Sequence, residues 1–208
     1  MAPASLQSEV LCLVGCRLEP SDWQRAGGQA KFTQPVTSEI DARLDFTFAV
    51  YGEPPRVTVT PYTEVVHEGV EAARKFITGW TLYTLNKQIQ EIMRDPLAHY
   101  RWSFAELDMS SAADRLVSDC LEHASSFYEQ FRNLDDIVNA LEGMTLARRS
   151  IPKESLTLAY CVQGRLAEAE EALRDEIIAA RINPQDIANQ QLPKYQELFG
   201  LQLDLRPP

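Results

Sequence analysis

The segment from Ile151 to Arg181 constrains this chain more than any other. Pro152 suits the first turn of a helix, where a missing N–H costs nothing. Leu156, Ala159, Tyr160 and Val162 then form one apolar stripe. Gly164 supplies the left-handed residue that ends a helix. Leu166, Ala169, Ala172, Leu173, Ile177 and Ile178 make a second stripe with helical spacing. Ala169 and Ala172 are small enough to let a neighbouring helix come close. The expected unit is a C-terminal antiparallel helical hairpin.

The rest of the chain adds strands ahead of it. Arg43 to Tyr51 alternates strictly, with Leu44, Phe46, Phe48 and Val50 on one side and Asp45 and Thr47 on the other. Gly52-Glu53-Pro54-Pro55 turns the chain, and Val57 and Val59 alternate back as a second strand. Leu44, Phe46, Phe48, Val57 and Val59 should face helices. Lys31 to Gln34 begins a further strand that Pro35 weakens or places at an edge. Tyr100 to Ala105 reads as one more, and Thr81 to Thr84 favours strand before a helical Lys87 to Met93. Gly27-Gly28 marks a turn.

Helices flank these strands. Leu6, Val10, Leu13 and Val14 predict a first helix ending at Gly15. His67 to Ile77 predicts another, with Val70, Ala73, Phe76 and Ile77 inward and Gly79 as its stop. Ser111 and Asp114 have capping-box spacing at the head of a helix running to about Phe131. Its inner face would be Leu116, Val117, Cys120, Leu121, Ala124, Phe127 and Phe131. Asn133 or a neighbour caps a helix from Leu134 to Leu141 that Gly143 closes. Met144 to Ser150 reads as a basic linker, Asn183-Pro184 as a helical turn, Tyr195 to Phe199 as a last helix and Leu201 to Pro208 as a tail. Strands before helices predict an α+β fold: an antiparallel sheet of three to four strands with helices on one face. A chain of 208 residues suits a single domain over 1–208, its helix-plus-sheet part at 1–105 and its helical part at 106–200.

The formal net charge is −10. A general nucleic-acid binder would show a basic face instead. An acidic chain suits a basic protein partner, because opposite fields speed encounter. No apolar run is long enough to span a membrane. Leu13-Val14-Gly15-Cys16 has the form of a lipoprotein box. No Lys or Arg precedes it, however, and Glu9 interrupts the apolar segment, so a cytoplasmic chain is expected. Cys12 and Cys16 could share a helix face, while Cys120 and Cys161 fall in apolar stripes as buried thiols.

Several phrases recur in one order: the hairpin, then Thr60-Pro61, Val66-His67-Glu68-Gly69-Val70, Leu134-Asp135-Asp136, Leu158-Ala159-Tyr160, Gly164-Arg165 and Glu168-Ala169. Over about Val10 to Arg181 the chain resembles a loose bacterial family of small α+β proteins. Members accompany toxin and secretion loci, and some are regarded as immunity proteins. The resemblance implies a binding role and brings no catalytic set.

The residues themselves suggest little chemistry. His67 and Glu71 are four apart and could hold a metal or position a base, which is the enzyme alternative; a helix-start role for His67 is the plainer reading. His99 and His123 have no ligand near them in sequence. There is no phosphate-binding glycine loop and no nucleophile elbow. No catalytic residue, metal or cofactor is therefore expected. Glu168, Glu171 and Asp175 recur at three and four and share one face. Asp135, Asp136 and Glu142 lie just upstream and could extend a negative surface for a cationic partner; Glu168, Glu171, Asp175, Asp135 and Asp136 are the candidate partner-binding residues. Trp23, Trp80 and Trp102 are expected in the core, and would serve as anchors if exposed. The expected function is a non-catalytic immunity protein that occludes a cognate toxin, with a scaffold or adaptor of a secretion or regulatory system as the alternative.

Overall fold

The computed structural model describes residues 3–26, 30–95, 97, 102–105, 108–146, 153–180 and 189–201. Gly27-Gly28, His99, Tyr100, the basic stretch at 147–150, Asn183-Pro184 and the tail at 202–208 lie outside the described residues. The fold is α+β. Contacts divide the chain into two compact units, one of Met1–Val65 with Asn86–Gln130, the other of Val66–Leu85 with Phe131–Pro208.

The first unit carries the sheet. Its strands are β1 (Gln24–Arg25), β2 (Lys31–Pro35), β3 (Ile40–Tyr51), β4 (Arg56–His67), β5 (Leu85–Gln88) and β6 (Ser103–Phe104). Their order is β1-β2-β3-β4-β5, with β6 also pairing β4. The last two residues of β4 and the first of β5 fall in the second unit by contact. Six antiparallel strands replace the three to four expected. Strand β1, with two residues, is too short to show a period. The strand expected at Thr81 to Thr84 instead begins at Leu85, and that expected at Tyr100 to Ala105 is limited to Ser103–Phe104.

Alternation in β3 buries Ile40, Ala42, Leu44 and Phe46, and in β4 it buries Val57 and Val59. Phe48 is only half-buried, against expectation. The β2 register stops at Lys31 opposite Asp45, so Phe48 lies past the last β2 partner. Phe32 and Phe46 meet edge to face with centroids 5.8 Å apart.

Helix α1 (Pro3–Leu18) buries Leu6, Val10, Val14 and Leu18, each four residues from the next. Gly15 does not end it. A Cβ there would lie 3.4 Å from Cε1 of Phe32, so Gly15 serves the close approach of helix to strand. After the short α3 (Ile89–Met93) comes α4 (Met109–Tyr128), which packs on α1 through a face containing Ala112, Ala113, Leu116 and Cys120. Leu121, expected inside, is only half-buried. The expected Ser111–Asp114 capping box does not form. Asp108 holds the N-cap position, and its carboxylate accepts from Arg115 at 2.9 Å. Asp114 pairs instead with Arg17 of α1, a tertiary ion pair in place of a local cap. Trp23 and Trp102 are buried as expected, and the Trp102 indole N–H donates to Asp119 at 2.9 Å.

One face of the sheet carries a charge ladder. Lys31 Nζ lies 2.9 Å from Asp45 and 3.6 Å from Glu64, which is 3% exposed. Burial pulls the Lys31 ammonium down, but its two carboxylates outweigh that and hold it above its ordinary value. Burial pushes the Glu64 carboxyl up, and the opposing pull of Lys31, which lies closer to Asp45, does not cancel it. A raised carboxyl stabilises the fold fully below its unfolded value, and that contribution is lost as pH rises through the folded value. Glu64→Gln removes the titration. Relative to this variant, the natural protein is expected to lose stability as pH rises from about 4.5, the ordinary value. Urea midpoints of the two proteins between acid and neutral pH measure it; a difference independent of pH would contradict it.

The second unit is helical: α2 (Glu68–Thr78), α5 (Leu134–Leu146), α6 (Lys153–Gln163), α7 (Leu166–Ala180) and α8 (Leu192–Phe199). His67 stands at the N-cap of α2, and Gly79 ends that helix at φ 82°. Val70, Ala73 and Ile77 are buried, but Phe76, expected inside, is 44% exposed. Asn133 caps α5 as expected: the Asp136 N–H donates to its Oδ1 at 3.0 Å, and the Arg132 N–H donates to the Asp136 carboxylate at 2.9 Å. Gly143 does not close α5, which continues to Leu146. A Cβ at Gly143 would meet nothing within 4 Å. Gly143→Ala is therefore expected to stabilise by roughly 0.5–1 kcal/mol, the usual cost of glycine within a helix. A raised urea midpoint checks this, and a lowered one would contradict it.

Helix α6 packs against α2, α5 and α7, with Leu158 and Ala159 fully buried. Gly164, at φ 75°, separates α6 from α7. Cys161 is buried as expected, as is Cys120 in the first unit. Arg74 of α2 is 1% exposed and donates to the Tyr83 carbonyl at 2.9 Å and the Ser155 hydroxyl at 2.7 Å. Glu154 lies 3.9 Å from its Nε. Tyr195 of α8 is buried, and Lys194 donates to the Ile77 carbonyl at 2.7 Å, at the negative end of α2. Among the described residues, no helix is long and apolar enough to cross a membrane.

Candidate partner-binding site on the helical unit

Helix α7 concentrates charge. Its sequence holds Glu168, Glu170, Glu171, Asp175 and Glu176 against the single cation Arg174. Ala169, Leu173 and Ile177 are its buried side, so Glu171 and Asp175 fall on the outer side, both exposed. At the start of α7 an open groove of about 610 Å³ is lined by Asp135, Val138, Asn139, Gln163 and Arg165. These residues come from α5, the end of α6 and the connection into α7.

A polar network fixes this groove. The Gln163 amide donates to the Asp135 carboxylate at 2.6 Å. Arg165 Nη1 donates back to the Gln163 carbonyl oxygen at 3.5 Å. Arg165 Nε donates to Glu168 at 3.0 Å, and Nη2 lies 3.5 Å from Glu142. The guanidinium carbon sits 4.5 Å from the centroid of the Tyr160 ring. The Tyr160 hydroxyl donates to Glu142 at 2.7 Å. Burial, then the Glu142 carboxylate, push the Tyr160 phenol up to about 12. Glu168 is held below its ordinary value, first by its own backbone N–H and then by Arg165. Arg165 is raised in turn, chiefly by Glu168. Two carboxylates, Glu142 and Glu168, thus share one guanidinium, while Asp135 is held by Gln163, and the network as a whole retains negative charge.

The five residues singled out by sequence separate into three roles. Asp135 and Glu168 enter the groove network. Asp136 is engaged at the head of α5. Glu171 and Asp175 remain exposed along α7. Glu142, read from the sequence as part of the same acidic surface, also enters the network, whereas sequence reasoning missed Tyr160, Gln163 and Arg165. The Arg165–Glu168 spacing of three is a legible helical pair, but its link to Glu142 depends on how α5 meets α6.

Of the three tryptophans, Trp80 departs from the expectation of a core residue: it is 77% exposed. Gly79 ends α2 just before it and turns the chain outward. Phe76, Leu82 and Leu198, also in the second unit, are 44%, 40% and 43% exposed. His67, considered with Glu71 for metal, is 5% exposed, and its N–H donates to the Thr84 hydroxyl at 3.0 Å. No group of three His, Cys, Asp or Glu side chains capable of holding a metal occurs among the described residues.

No family model matches this chain, and neither the curated proteins nor the solved structures include a significant match to it.

Proposed function

We propose that this chain is a non-catalytic binding protein of the immunity type, which occludes a basic protein effector. The observation that carries the reading is the pairing of the groove with the exposed acidic side of α7 on one helical unit. A carboxylate set in a concavity, Asp135, and exposed carboxylates along a helix, Glu171 and Asp175, suit a partner rich in Lys and Arg. An incoming guanidinium meets Asp135 already ordered by Gln163 in the groove, so fewer side chains are immobilised on binding. The net charge of −10 steers a basic partner inward from a distance. Exposed Trp80 supplies an apolar anchor of the residue type that dominates binding energy. The immunity role, as opposed to binding in general, rests on the family resemblance.

Co-expression with the product of the neighbouring reading frame tests this. The expected outcome is growth rescue from that product, together with a complex that co-purifies and weakens with salt. Failure of rescue with no complex would remove the immunity reading and leave the adaptor role. Trp80→Ala is expected to speed dissociation of the complex while leaving the association rate near the natural value, as buried anchors act on the off-rate. Surface plasmon resonance separates the two rates, and an unchanged dissociation rate would show that Trp80 is not an anchor.

A further inference from the structure

We propose that Cys12 and Cys16 form a two-thiolate site for a soft monovalent metal ion of the Cu(I) class. The two residues stand one turn apart on α1, and both side chains are exposed. The opposite side of the helix, with Leu6, Val10, Val14 and Leu18, is buried, so the pair is carried on an anchored element. Cys120 and Cys161 are buried and cannot compete for a surface ion.

The helix spacing decides what the pair can do. Residues four apart on a helix have Cβ atoms roughly 5–6 Å apart. A disulfide needs about 3.5–4.5 Å between them, so direct oxidation within the pair would distort the helix. An ion held between two thiolates does not require the sulfurs to bond each other, so the pair can serve it from one helix turn.

The ligand count selects the metal. Zinc takes four ligands in structural sites and three plus water in catalytic ones. Among the described residues no third His, Cys, Asp or Glu completes such a group. Soft sulfur donors favour Cu(I), which accepts a two-coordinate geometry. Binding replaces two S–H protons by two S–Cu bonds, giving a bis-thiolate complex of charge −1 with no change of oxidation state. Glu9 and Glu19, exposed one turn to either side, add negative potential that favours a cation.

Anaerobic titration of the reduced full chain with Cu(I), in competition with bicinchoninate, tests the proposal. One ion per chain should be withdrawn from the chelator, with the protein monomeric in sedimentation. Cys12→Ser and Cys16→Ser should each abolish that step while keeping the natural circular dichroism spectrum. Retention of the step in either variant would overturn the proposal, as would absence of binding to the natural chain. A dimer formed with the ion would place the two thiolates on different chains and overturn the one-turn geometry. A parallel Zn(II) titration should show no comparable binding; equal affinity would mean that further ligands take part.

Discussion

Replacing Arg74 by methionine is expected to lower the stability of the protein by about 1–3 kcal/mol, the usual cost of leaving a buried hydrogen-bond acceptor without its donor. Methionine keeps much of the apolar stem, so the loss reports the guanidinium. That group is 1% exposed and serves the Tyr83 carbonyl, the Ser155 hydroxyl and Glu154 together. Without it, the buried Ser155 hydroxyl and the half-buried Tyr83 carbonyl lose their donor. Burial already pushes the Glu154 carboxyl up against the opposing pull of Arg74, and that pull would vanish. The double variant Arg74→Met with Glu154→Leu removes both charges and should recover part of the loss, since an uncharged pair carries no orphaned ion. Urea unfolding of the three proteins measures both effects. A single-variant loss below about 1 kcal/mol, the range of a surface pair, would show that Arg74 is not the organising group of the helical unit.

Reversing the outer charge of α7 should have the largest effect on binding. The combined change Glu171→Lys with Asp175→Lys shifts the net charge from −10 to −6, four positive charges gained by two reversals. Both side chains are exposed, and neither belongs to the groove network, so folding should be preserved. Association with the basic effector is expected to slow about tenfold or more at low ionic strength, the lower end of the range for electrostatic steering. The difference should shrink as salt is added, because the Debye length falls to about 3 Å at 1 M. Stopped-flow association across a salt series gives the result. An unchanged rate at low salt would place the contact surface elsewhere.

The sheet was legible where alternation ran long enough. Leu44, Phe46, Val57 and Val59 are buried as their spacing requires. Strand β6 falls within the stretch whose alternation marked it, whereas β1 was not legible, because two residues carry no period. Glycine was the main source of error at helix ends. Gly79 and Gly164 take φ of 82° and 75°, and each terminates its helix. Gly15 and Gly143 lie within helices, and nothing in the residue type distinguishes the two cases. Gly15 is explained only by Phe32, seventeen residues on and brought near by the sheet. At the site, the acidic character of α7 was readable from its three-and-four spacing. The network was not, because it joins Glu142 to Tyr160 and Asp135 to Gln163 across helices. Average burial of tryptophan gave the right expectation for Trp23 and Trp102 and the wrong one for Trp80, which stands directly after a helix-ending glycine.

The central claim, that the groove and the outer side of α7 recognise cationic side chains, is tested most directly by nuclear magnetic resonance. The ¹⁵N-labelled full chain would be titrated with a penta-arginine peptide at low and at high salt. The expected result is a set of salt-sensitive shifts gathered on Asp135, Asn139, Gln163, the Arg165 side-chain Nε–H, Glu171 and Asp175. Shifts spread evenly over the acidic residues of both units, or gathered on the first unit, would contradict the claim.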